Sequence, residues 1–288
     1  MAEANLITKT VLTNAQIREK EFALNFEGDL RKLIEALGVT RKIAKEAGYQ
    51  LCTYKATGTL GTVNVAEGET IPLSAYTIQK TPYGVLTLQK RRKATSAEAI
   101  VEYGYNQACT MTNERMLKDV AGVIRTALFT SLANGTGVAT GSNLQGALAN
   151  AWGQLTALFE DTDIQAVYFI NPLDVADYLG SAQITTQTAF GMQYIENFLG
   201  LGTVILDTKV PQGTVYATAK ENIVMYYIAV NGADLGEAFN FTADQTGYIG
   251  IHEEPDYTNM TSSDTVVWGV QFFAEKPDGV VVGTISAT

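Results

Sequence analysis

Apolar residues recur at three- and four-residue steps between Thr112 and Gly135, and this spacing predicts a long amphipathic helix. Thr112 is the expected N-cap and Gly135 the expected stop. At 1.5 Å per residue the helix would be ~33 Å long, about the width of a small domain. We expect it to act as a strut around which the rest of the chain is arranged. The apolar positions are Met116, Leu117, Val120, Ile124, Ala127, Leu128 and Leu132.

The chain before the strut begins with little periodicity. Residues 1 to about 28 are mixed in character, which favours an arm that needs a partner to become ordered. From Asp29 to Ala47 an apolar stripe predicts a helix with Asp29 as N-cap and Gly48 as stop. Gly38 is expected to bend this helix, because glycine is costly inside one.

Between Tyr49 and Thr95 the pattern is that of extended chain and predicts a long β-hairpin with its tip near Glu67 to Pro72. The segment has too few large apolar residues to bury a face of its own. Since a lone two-stranded hairpin is marginal in water, something else must hold it. The basic run Lys90 to Lys93 is expected to close the hairpin as a solvated or interface strand. A nuclear-import or nucleic-acid patch would look similar, but the run lacks interleaved aromatic residues.

Helix and strand patterns alternate after the strut. The glycine-rich stretch from Leu132 to Asn143 follows a helix and has no Gly-Lys-Ser/Thr, so it is interpreted as a linker and not a phosphate loop. Ser142 is expected to cap a helix that runs to Phe159. Residues 142–230 are therefore predicted to form an α/β sheet domain. Its further elements are a strand at 166–170, a short helix at 171–180, and strands at 203–206, 214–218 and 223–228.

The tail returns to strand patterns at 248–251, 265–273 and 279–285. The turn sequence Lys276-Pro-Asp-Gly is expected to join the last two strands as a pair. These strands need a helix to cover them, and the strut is the one without a partner. We therefore predict a discontinuous domain made of residues 94–141 and 231–288.

Charge is distributed unevenly along the chain. The formal net charge is −10, which disfavours nucleic-acid recognition by a basic surface. Residues 1–93 carry a balance of +5, however, and the remainder carries −15. This asymmetry suggests that the first part of the chain lies on an acidic surface, either that of another copy or that of its own body.

Compartment signals are few. No stretch is apolar enough to cross a membrane, and the first residues do not form a signal peptide. Cys52 and Cys109 are too few for a disulfide scaffold, which fits a reduced cytosolic setting.

His252 is the single histidine, so a nucleophilic triad or a metal site could be built only around it. The nearby carboxylates Glu253, Glu254 and Asp256 would point to alternating faces of a strand. A solvated strand end is the favoured interpretation. An enzyme is disfavoured, and no cofactor is expected.

The order of these elements resembles that of the major capsid proteins of tailed bacteriophages, which have the Hong Kong 97 capsid fold. The resemblance covers nearly the whole chain, although each motif is weak alone. The motifs are Val65-Ala-Glu, Ile71-Pro72, Leu132-Ala-Asn-Gly-Thr-Gly, Asn143-Leu-Gln-Gly, Asn171-Pro-Leu-Asp, Gly202-Thr-Val and Glu275-Lys-Pro-Asp-Gly-Val-Val-Val-Gly-Thr.

The resemblance implies an α+β fold in five segments. Residues 1–49 would be an N-terminal arm with a short helix, and 50–93 an extended loop lying over a neighbouring subunit. Residues 94–141 and 231–288 would form a peripheral domain around the long spine helix. Residues 142–230 would form the axial domain at the centres of hexamers and pentamers.

The resemblance also implies a structural function and no catalysis. The expected role is a shell protein that encloses double-stranded DNA without sequence-specific binding, in a virion assembled in the bacterial cytoplasm. Portal and decoration proteins would be further partners. Encapsulin nanocompartments share the fold and hold a cargo enzyme, so they remain an alternative. An α/β hydrolase or metal enzyme around His252 is a remote one.

Two departures from the family shape the assembly prediction. Its founding member forms a covalent cross-link through a lysine just before the hairpin-tip proline, where this chain has Ile71, so no cross-link is expected. About fifty residues precede the hairpin, so a separate scaffolding protein is expected. The residues expected at the assembly interface are Glu67, Glu69, Ile71, Lys90, Arg91, Arg92 and Lys93.

Overall fold

The computed structural model describes residues 14–61, 64–160, 164–181, 187–189, 192–198, 200–232, 235, 238–239 and 241–286. The helices within these ranges are α1 (Asn14–Leu37), α2 (Ala97–Tyr103), α3 (Tyr105–Ala133), α4 (Leu144–Phe159) and α5 (Pro172–Ser181). The strands are β1 (Lys42–Ala44), β2 (Gln50–Thr59), β3 (Ala75–Val85), β4 (Gln89–Ser96), β5 (Gly137–Gly141), β6 (Ala166–Ile170), β7 (Gln187–Ala189), β8 (Met192–Phe198), β9 (Gly202–Leu206), β10 (Thr214–Ala219), β11 (Ile223–Tyr227), β12 (Thr242–Ala243), β13 (Ile249–Asp256), β14 (Thr261–Trp268), β15 (Val270–Ala274) and β16 (Val280–Ile285).

A seven-stranded mixed sheet lies at the centre of the molecule, in the order β5-β16-β10-β6-β9-β8-β7. Its middle strand β6 is buried throughout and runs parallel to β9 and antiparallel to β10. Alternate side chains of β6 enter different cores, as the two-residue period of a strand requires. Val167 and Phe169 join the core that contains α1 and α3, while Tyr168 and Ile170 join the core beneath α4.

Two smaller sheets flank the central one. The first has the order β12-β13-β14-β4 and the second the order β1-β11-β15. The predicted single strand at 265–273 is divided between them at Gly269, where an added side chain would overlap Ile228. Trp268, the last residue of β14, is fully buried in the core that also holds Phe272 of β15.

The N-terminal segment differs from its prediction. Residues 14–28, expected in a partner-dependent arm, form the first half of α1, which packs against β13, β12 and α3 of the same chain. Residues 1–13 lie outside the described residues. The helix predicted over 29–47 is wrong at both ends, because α1 ends at Leu37 and Lys42–Ala44 is a strand parallel to β11. Gly38 does not bend the helix but follows its last residue, with a φ of +65°.

The predicted strut is confirmed as a helix, but it begins at Tyr105, well before the expected N-cap. It is α3, whose 29 residues span ~43 Å. Thr112 is therefore not the N-cap; its hydroxyl donates to the carbonyl of Ala108 at 2.9 Å, within the helix. Gly104, with a φ of +80°, separates α3 from the short helix α2 and permits the change of direction.

The segment interpreted as a glycine-rich linker contains an edge strand. Residues Gly137–Gly141 form β5, which pairs in parallel with β16. A side chain at Gly141 would overlap the backbone at Ala147, so glycine permits the close approach of β5 to α4. The cap of α4 is Asn143 and not Ser142, because the Asn143 side chain accepts from the amide of Gly146 at 2.7 Å.

The last two strands do not form the predicted pair. Strand β15 pairs with β11, whereas β16 pairs with β10 and β5 in the central sheet. The turn at Pro277–Gly279 does not close a hairpin; it carries the chain from one sheet to the other. Strand β16 thus lies among the strands of 142–230 and not with the rest of 231–288, and β11 lies outside the central sheet. The five-segment division stays a prediction.

Candidate assembly surface

The hairpin of β2 and β3 contacts the body through the half of its length that begins at Gln50 and ends at Val85. Leu51 and Leu86 are buried in a cluster that contains Phe273. The Tyr83 ring stacks on the ring of Phe273 with centroids 5.1 Å apart. The Lys55 ammonium lies 2.9 Å from the Asp278 carboxylate, and this hydrogen bond lowers the pKa of Asp278. These contacts fix the direction in which the hairpin leaves the body.

Beyond this base the hairpin is exposed on both strands. Residues 55–60 of the outgoing strand and 75–82 of the returning strand are solvent-exposed throughout. The exposed side chains include large apolar ones; Leu73 is 96% and Ile71 76% exposed, and Leu60, Tyr76 and Ile78 are similar. Clustered exposed apolar residues mark interaction sites in soluble proteins. The described residues of this part of the hairpin therefore bury no face of their own, although large apolar residues, which were expected to be scarce here, are present.

The hairpin tip brings together three of the predicted interface residues. The amide of Glu69 donates to the carbonyl of Ala66 at 3.1 Å, and Gly68 between them has a φ of +85°. This is the pattern of a type II turn, which favours glycine at its third position. Glu67 and Glu69 therefore flank Gly68 in one turn, with Ile71 close behind. Their interface role stays a prediction.

The basic run does not close the hairpin, because it lies in the next strand. Lys90 to Lys93 belong to β4, which pairs antiparallel with β14. The Lys93 ammonium lies 2.5 Å from the Asp264 carboxylate of the same chain, and Arg92 donates to the Ser263 hydroxyl at 2.9 Å. Burial raises the pKa of Asp264, against the opposing hydrogen bond from Lys93. The basic run was expected to contact acidic residues, and Asp264 of the same chain is one of these residues.

The other three members of the run, Lys90, Arg91 and Arg92, are exposed. The Arg91 guanidinium lies 5.9 Å from the ring centroid of Trp268, on the side of β4 that faces α3. Successive side chains of a strand point to opposite faces, so Lys90 is directed away from this side. The four basic residues therefore do not form one continuous patch.

A buried polar network, which the sequence did not indicate, joins α1 to the peripheral strands. Arg18 of α1 forms an ion pair with Glu253 of β13 at 2.5 Å, and both side chains also bond to the Tyr105 hydroxyl. Burial alone would raise the pKa of Glu253, but hydrogen bonds from Arg18 and Tyr105 outweigh it and lower the pKa. Burial, followed by the hydrogen bond to Glu253, raises the pKa of Tyr105 to about 12.

His252 lies beside this network, within β13 and not at the solvated strand end that was expected. Its Nδ1 is 3.6 Å from Glu19, which also accepts from the backbone amide of Glu253 at 2.6 Å. Glu253 is buried whereas Glu254 is exposed, as the predicted alternation of faces requires. Among the described residues no group of histidine, cysteine, aspartate and glutamate side chains could hold a metal ion. Cys52 and Cys109 are buried free thiols.

None of the described helices combines the length and the apolar character that crossing a bilayer requires.

Comparison with known proteins identifies the fold. No protein-family model and no curated protein sequence matches the chain. Solved structures do match, including a virus-like particle from Pyrococcus furiosus (TM-score 0.55, 13% identity, 94% of this chain and 99% of that chain). The capsid of cyanophage A-1(L) matches with a TM-score of 0.55 and 12% identity over 88% of this chain and 92% of that chain. The SrpI encapsulin of Synechococcus elongatus matches with a TM-score of 0.52 and 12% identity over 98% and 92%.

These matches extend over nearly the full length of both partners, so they concern the whole architecture and not one motif. They confirm the predicted α+β capsid fold for this chain.

Proposed function

We propose that this chain is the major capsid protein of a tailed bacteriophage, which assembles with copies of itself into the shell around double-stranded DNA. The observation that carries the proposal is the projecting hairpin. It places Leu60, Ile71, Leu73, Tyr76 and Ile78 in solvent, in a chain that has the fold of shell proteins.

The hairpin needs a partner for a physical reason. Two isolated strands do not form a stable unit in water, since neither face is covered. Burying an aliphatic side chain is worth ~1.5–3 kcal/mol, so covering Ile71 and Leu73 on a neighbouring copy would favour association. A shell repeats the same contact in every subunit, so a modest contact energy is sufficient.

The proposed mechanism is repeated self-association without catalysis. The hairpin of each copy lies over a neighbour, the strands around α3 form the peripheral domain, and the central sheet lies at the axes of hexamers and pentamers. With Ile71 at the tip, the contacts are non-covalent. A separate scaffolding protein, a portal and decoration proteins complete the assembly, which takes place in the bacterial cytoplasm and ends in the virion. The acidic balance lets DNA lie inside without sequence-specific binding.

An encapsulin-like nanocompartment is the second candidate, favoured by the match to the SrpI encapsulin over 98% of this chain. The two candidates differ in what the shell contains. Purified particles that hold a single bacterial protein and no DNA would favour the nanocompartment.

The test is expression of the full chain, alone and with a candidate scaffold, followed by electron microscopy. We expect closed shells. A variant with Ile71→Ser and Leu73→Ser should lose about 2 kcal/mol or more per contact, which raises the concentration needed for assembly ~30-fold or more. The matched control is Leu24→Ser, which removes an exposed leucine of α1, and it should assemble normally. A wild-type chain that stays monomeric under all conditions would contradict the proposal.

A further inference from the structure

Three charged side chains lie in one row across the strands β4, β14 and β13. Lys93 of β4 is directly opposite Asp264 of β14, and Asp264 is directly opposite Glu253 of β13. Residues that are directly opposite in antiparallel strands point to the same face of the sheet, with Cβ atoms ~4.5–5.5 Å apart. The three side chains therefore meet on one face. We call them the three-strand cluster.

Two helices enclose the three-strand cluster. The Lys93 ammonium donates to the hydroxyl of Thr112 of α3 at 2.8 Å, and Arg18 of α1 forms its ion pair with Glu253. The side chains of Asp264 and Glu253 are each 4% exposed, and that of Lys93 is 18% exposed. Water therefore has little access to the atoms between the three residues.

The other lysine–carboxylate pairs of the described residues lie open to solvent. The Lys55 ammonium is 2.9 Å from the Asp278 carboxylate, but these side chains are 56% and 36% exposed. The pair of Lys32 with Asp29 on α1 is exposed to a similar degree. Of the three pairs, Lys93 with Asp264 is the one that combines an enclosed carboxylate with a direct strand register.

The contact between Lys93 and Asp264 has the geometry of a reacting pair. The lysine Nζ lies 2.5 Å from a carboxylate oxygen. The carboxyl carbon Cγ is one bond further on, close to the ~3–3.5 Å at which an amine can attack it. Groups oriented in this way within one molecule reach effective concentrations of ~10⁵–10⁸ M. The two strands have therefore already lost the freedom that a reaction between separate molecules would have to lose.

We propose that Lys93 and Asp264 become joined by an isopeptide bond within the chain, with Glu253 transferring a proton during the reaction. A bond forms between Nζ of Lys93 and Cγ of Asp264, one carbon–oxygen bond of Asp264 breaks, and water leaves. The inference goes beyond the proposed shell function, because the bond lies inside one subunit and needs no assembly. Contacts between subunits remain non-covalent.

The step balances in atoms and charge. The Lys93 ammonium gives one proton to the Asp264 carboxylate, which leaves a neutral amine beside a carboxylic acid. Nζ attacks Cγ, and a second proton of the amine passes to the Glu253 carboxylate. Glu253 returns this proton to a hydroxyl of the tetrahedral intermediate, which departs as water. An ammonium and a carboxylate thus become an amide and water, with no oxidant, reductant or cofactor.

The surroundings favour each part of this step. Burial raises the pKa of Asp264, which favours the uncharged carboxyl group that an amine can attack. Hydrogen bonds from Arg18 and Tyr105 lower the pKa of Glu253, so Glu253 is present as a carboxylate and can accept a proton. The product replaces two buried charges by a neutral amide, and charges are costly to bury. The enclosed site therefore favours loss of water.

The bond would connect the strand that follows the hairpin to the strand that carries Trp268. It closes a covalent loop from residue 93 to residue 264. A cross-link that closes a long loop stabilises a protein mainly by restricting its unfolded chain. The root of the hairpin would thus stay attached to β14 even when the ion pairs around it are broken.

Mass spectrometry of the purified, denatured full chain tests the inference without any variant. We expect a mass lower than that of the sequence by one water molecule, after allowance for the N-terminal methionine. A tryptic digest should contain a branched peptide that joins the segments with Lys93 and Asp264. A chain with the full sequence mass and no such peptide would overturn the inference and leave an ordinary ion pair. Whether the chain forms shells does not affect this result.

The lysine variants separate the bond from the charge pair. Lys93→Arg keeps the positive charge, but a guanidinium stays protonated and does not form the amide. This variant should have its full sequence mass and a thermal midpoint about 10 °C lower than wild type. The matched control is Lys55→Arg in the exposed pair, which should still lack one water and keep its midpoint within a few degrees. Loss of one water from Lys93→Arg, or an equal amount of branched peptide at Lys55, would overturn the inference.

Glu253→Gln tests the proton transfer. The linked form should accumulate at least tenfold more slowly than in wild type, measured by intact mass at intervals after a pulse of synthesis. Circular dichroism establishes that the variant is folded; if it is not, Glu253→Asp, which displaces the carboxylate by one methylene group, takes its place. An unchanged rate in a folded variant would overturn the role assigned to Glu253.

Discussion

Arg18 shows how one side chain ties the N-terminal helix to the body. Its side chain is only 9% exposed, and Glu253 and the Tyr105 hydroxyl are its partners. A buried ion pair contributes little net stability compared with apolar packing, but removal of one partner leaves an uncompensated buried charge. The pair therefore makes the docking of α1 specific.

Arg18→Met should lower the free energy of unfolding by ~3–5 kcal/mol at pH 7, measured by urea denaturation. The pKa of Glu253 is lower in the folded state than in the unfolded state, so its contribution is present above the unfolded value of ~4.3. It is lost as the pH falls through the folded pKa. The difference between wild type and variant should therefore shrink below about pH 4.

The control for Arg18→Met is Lys32→Met, which removes an exposed ion pair with Asp29. It should change the free energy of unfolding by less than ~1 kcal/mol. Equal effects of the two substitutions would contradict the buried role of Arg18.

Two glycines of the α1 region should respond oppositely to alanine. Gly38 has a φ of +65°, and an added Cβ would overlap the Lys220 side chain, so Gly38→Ala should cost ~1–3 kcal/mol. Gly28 lies inside α1 with nothing within 4 Å of an added Cβ, so Gly28→Ala should stabilise by ~0.5–1 kcal/mol. Thermal unfolding of both variants measures the difference in sign. Destabilisation by Gly28→Ala would mean that α1 does not run through this residue.

At the level of single elements, α1 behaves as a core helix and not as an arm. Its buried residues Phe22, Phe26, Leu30, Leu33 and Leu37 follow a helical period and enter the same core as α3. This signal was present in the sequence. The helical period was hard to recognise because two buried polar residues, Arg18 and Glu19, interrupt the apolar pattern. Gly28, near the middle of the helix, interrupts it as well.

Phe26→Ala should therefore destabilise the whole molecule by ~3–5 kcal/mol, since Phe26 is completely buried. Leu24→Ala, two residues away and 59% exposed, should change stability by less than ~0.5 kcal/mol. Urea denaturation of both proteins gives the comparison. A small effect of Phe26→Ala would support the partner-dependent arm instead.

Helix ends and strand partners were harder to predict than helices themselves. The period of α3 was visible from Met116 to Leu132, but its first turns carry mostly polar residues and were missed. Thr112 has the chemistry of an N-cap, yet the same hydroxyl can bond to a carbonyl within a helix, as it does here. Serine and asparagine are both favoured as N-caps, so residue type alone did not distinguish Ser142 from Asn143. In the structure the Asn143 side chain accepts from the amide of Gly146, which makes Asn143 the cap.

In the molecule as a whole, the body and the hairpin are separable. None of the described residues in 64–74 is buried. The hairpin base is held by buried residues such as Leu51 and Leu86, which are distant from the tip in the sequence. The body should not depend on the tip for its stability.

Replacement of residues 60–74 by Asn-Gly, which favours a tight hairpin turn, tests this separation. The shortened protein should keep its circular dichroism spectrum and its thermal midpoint within a few degrees, because none of the described residues in the replaced segment is buried. It should sediment as a monomer at concentrations where wild type forms shells. Normal shells from the shortened protein would show that the tip is not needed for assembly.

Patterns along the chain were sufficient to predict the long α3 helix, the central strands β6, β9 and β10 and the projecting hairpin, and the order of these elements indicated the fold class. These features depend on local periodicity, which is visible in the amino-acid order. The folded molecule was needed to establish that β15 and β16 lie in different sheets, that Lys93 pairs with Asp264, and that Arg91 and Lys118 line adjoining cavities beside α3. These are contacts between distant residues, and local patterns do not specify which strand or charge will be the partner.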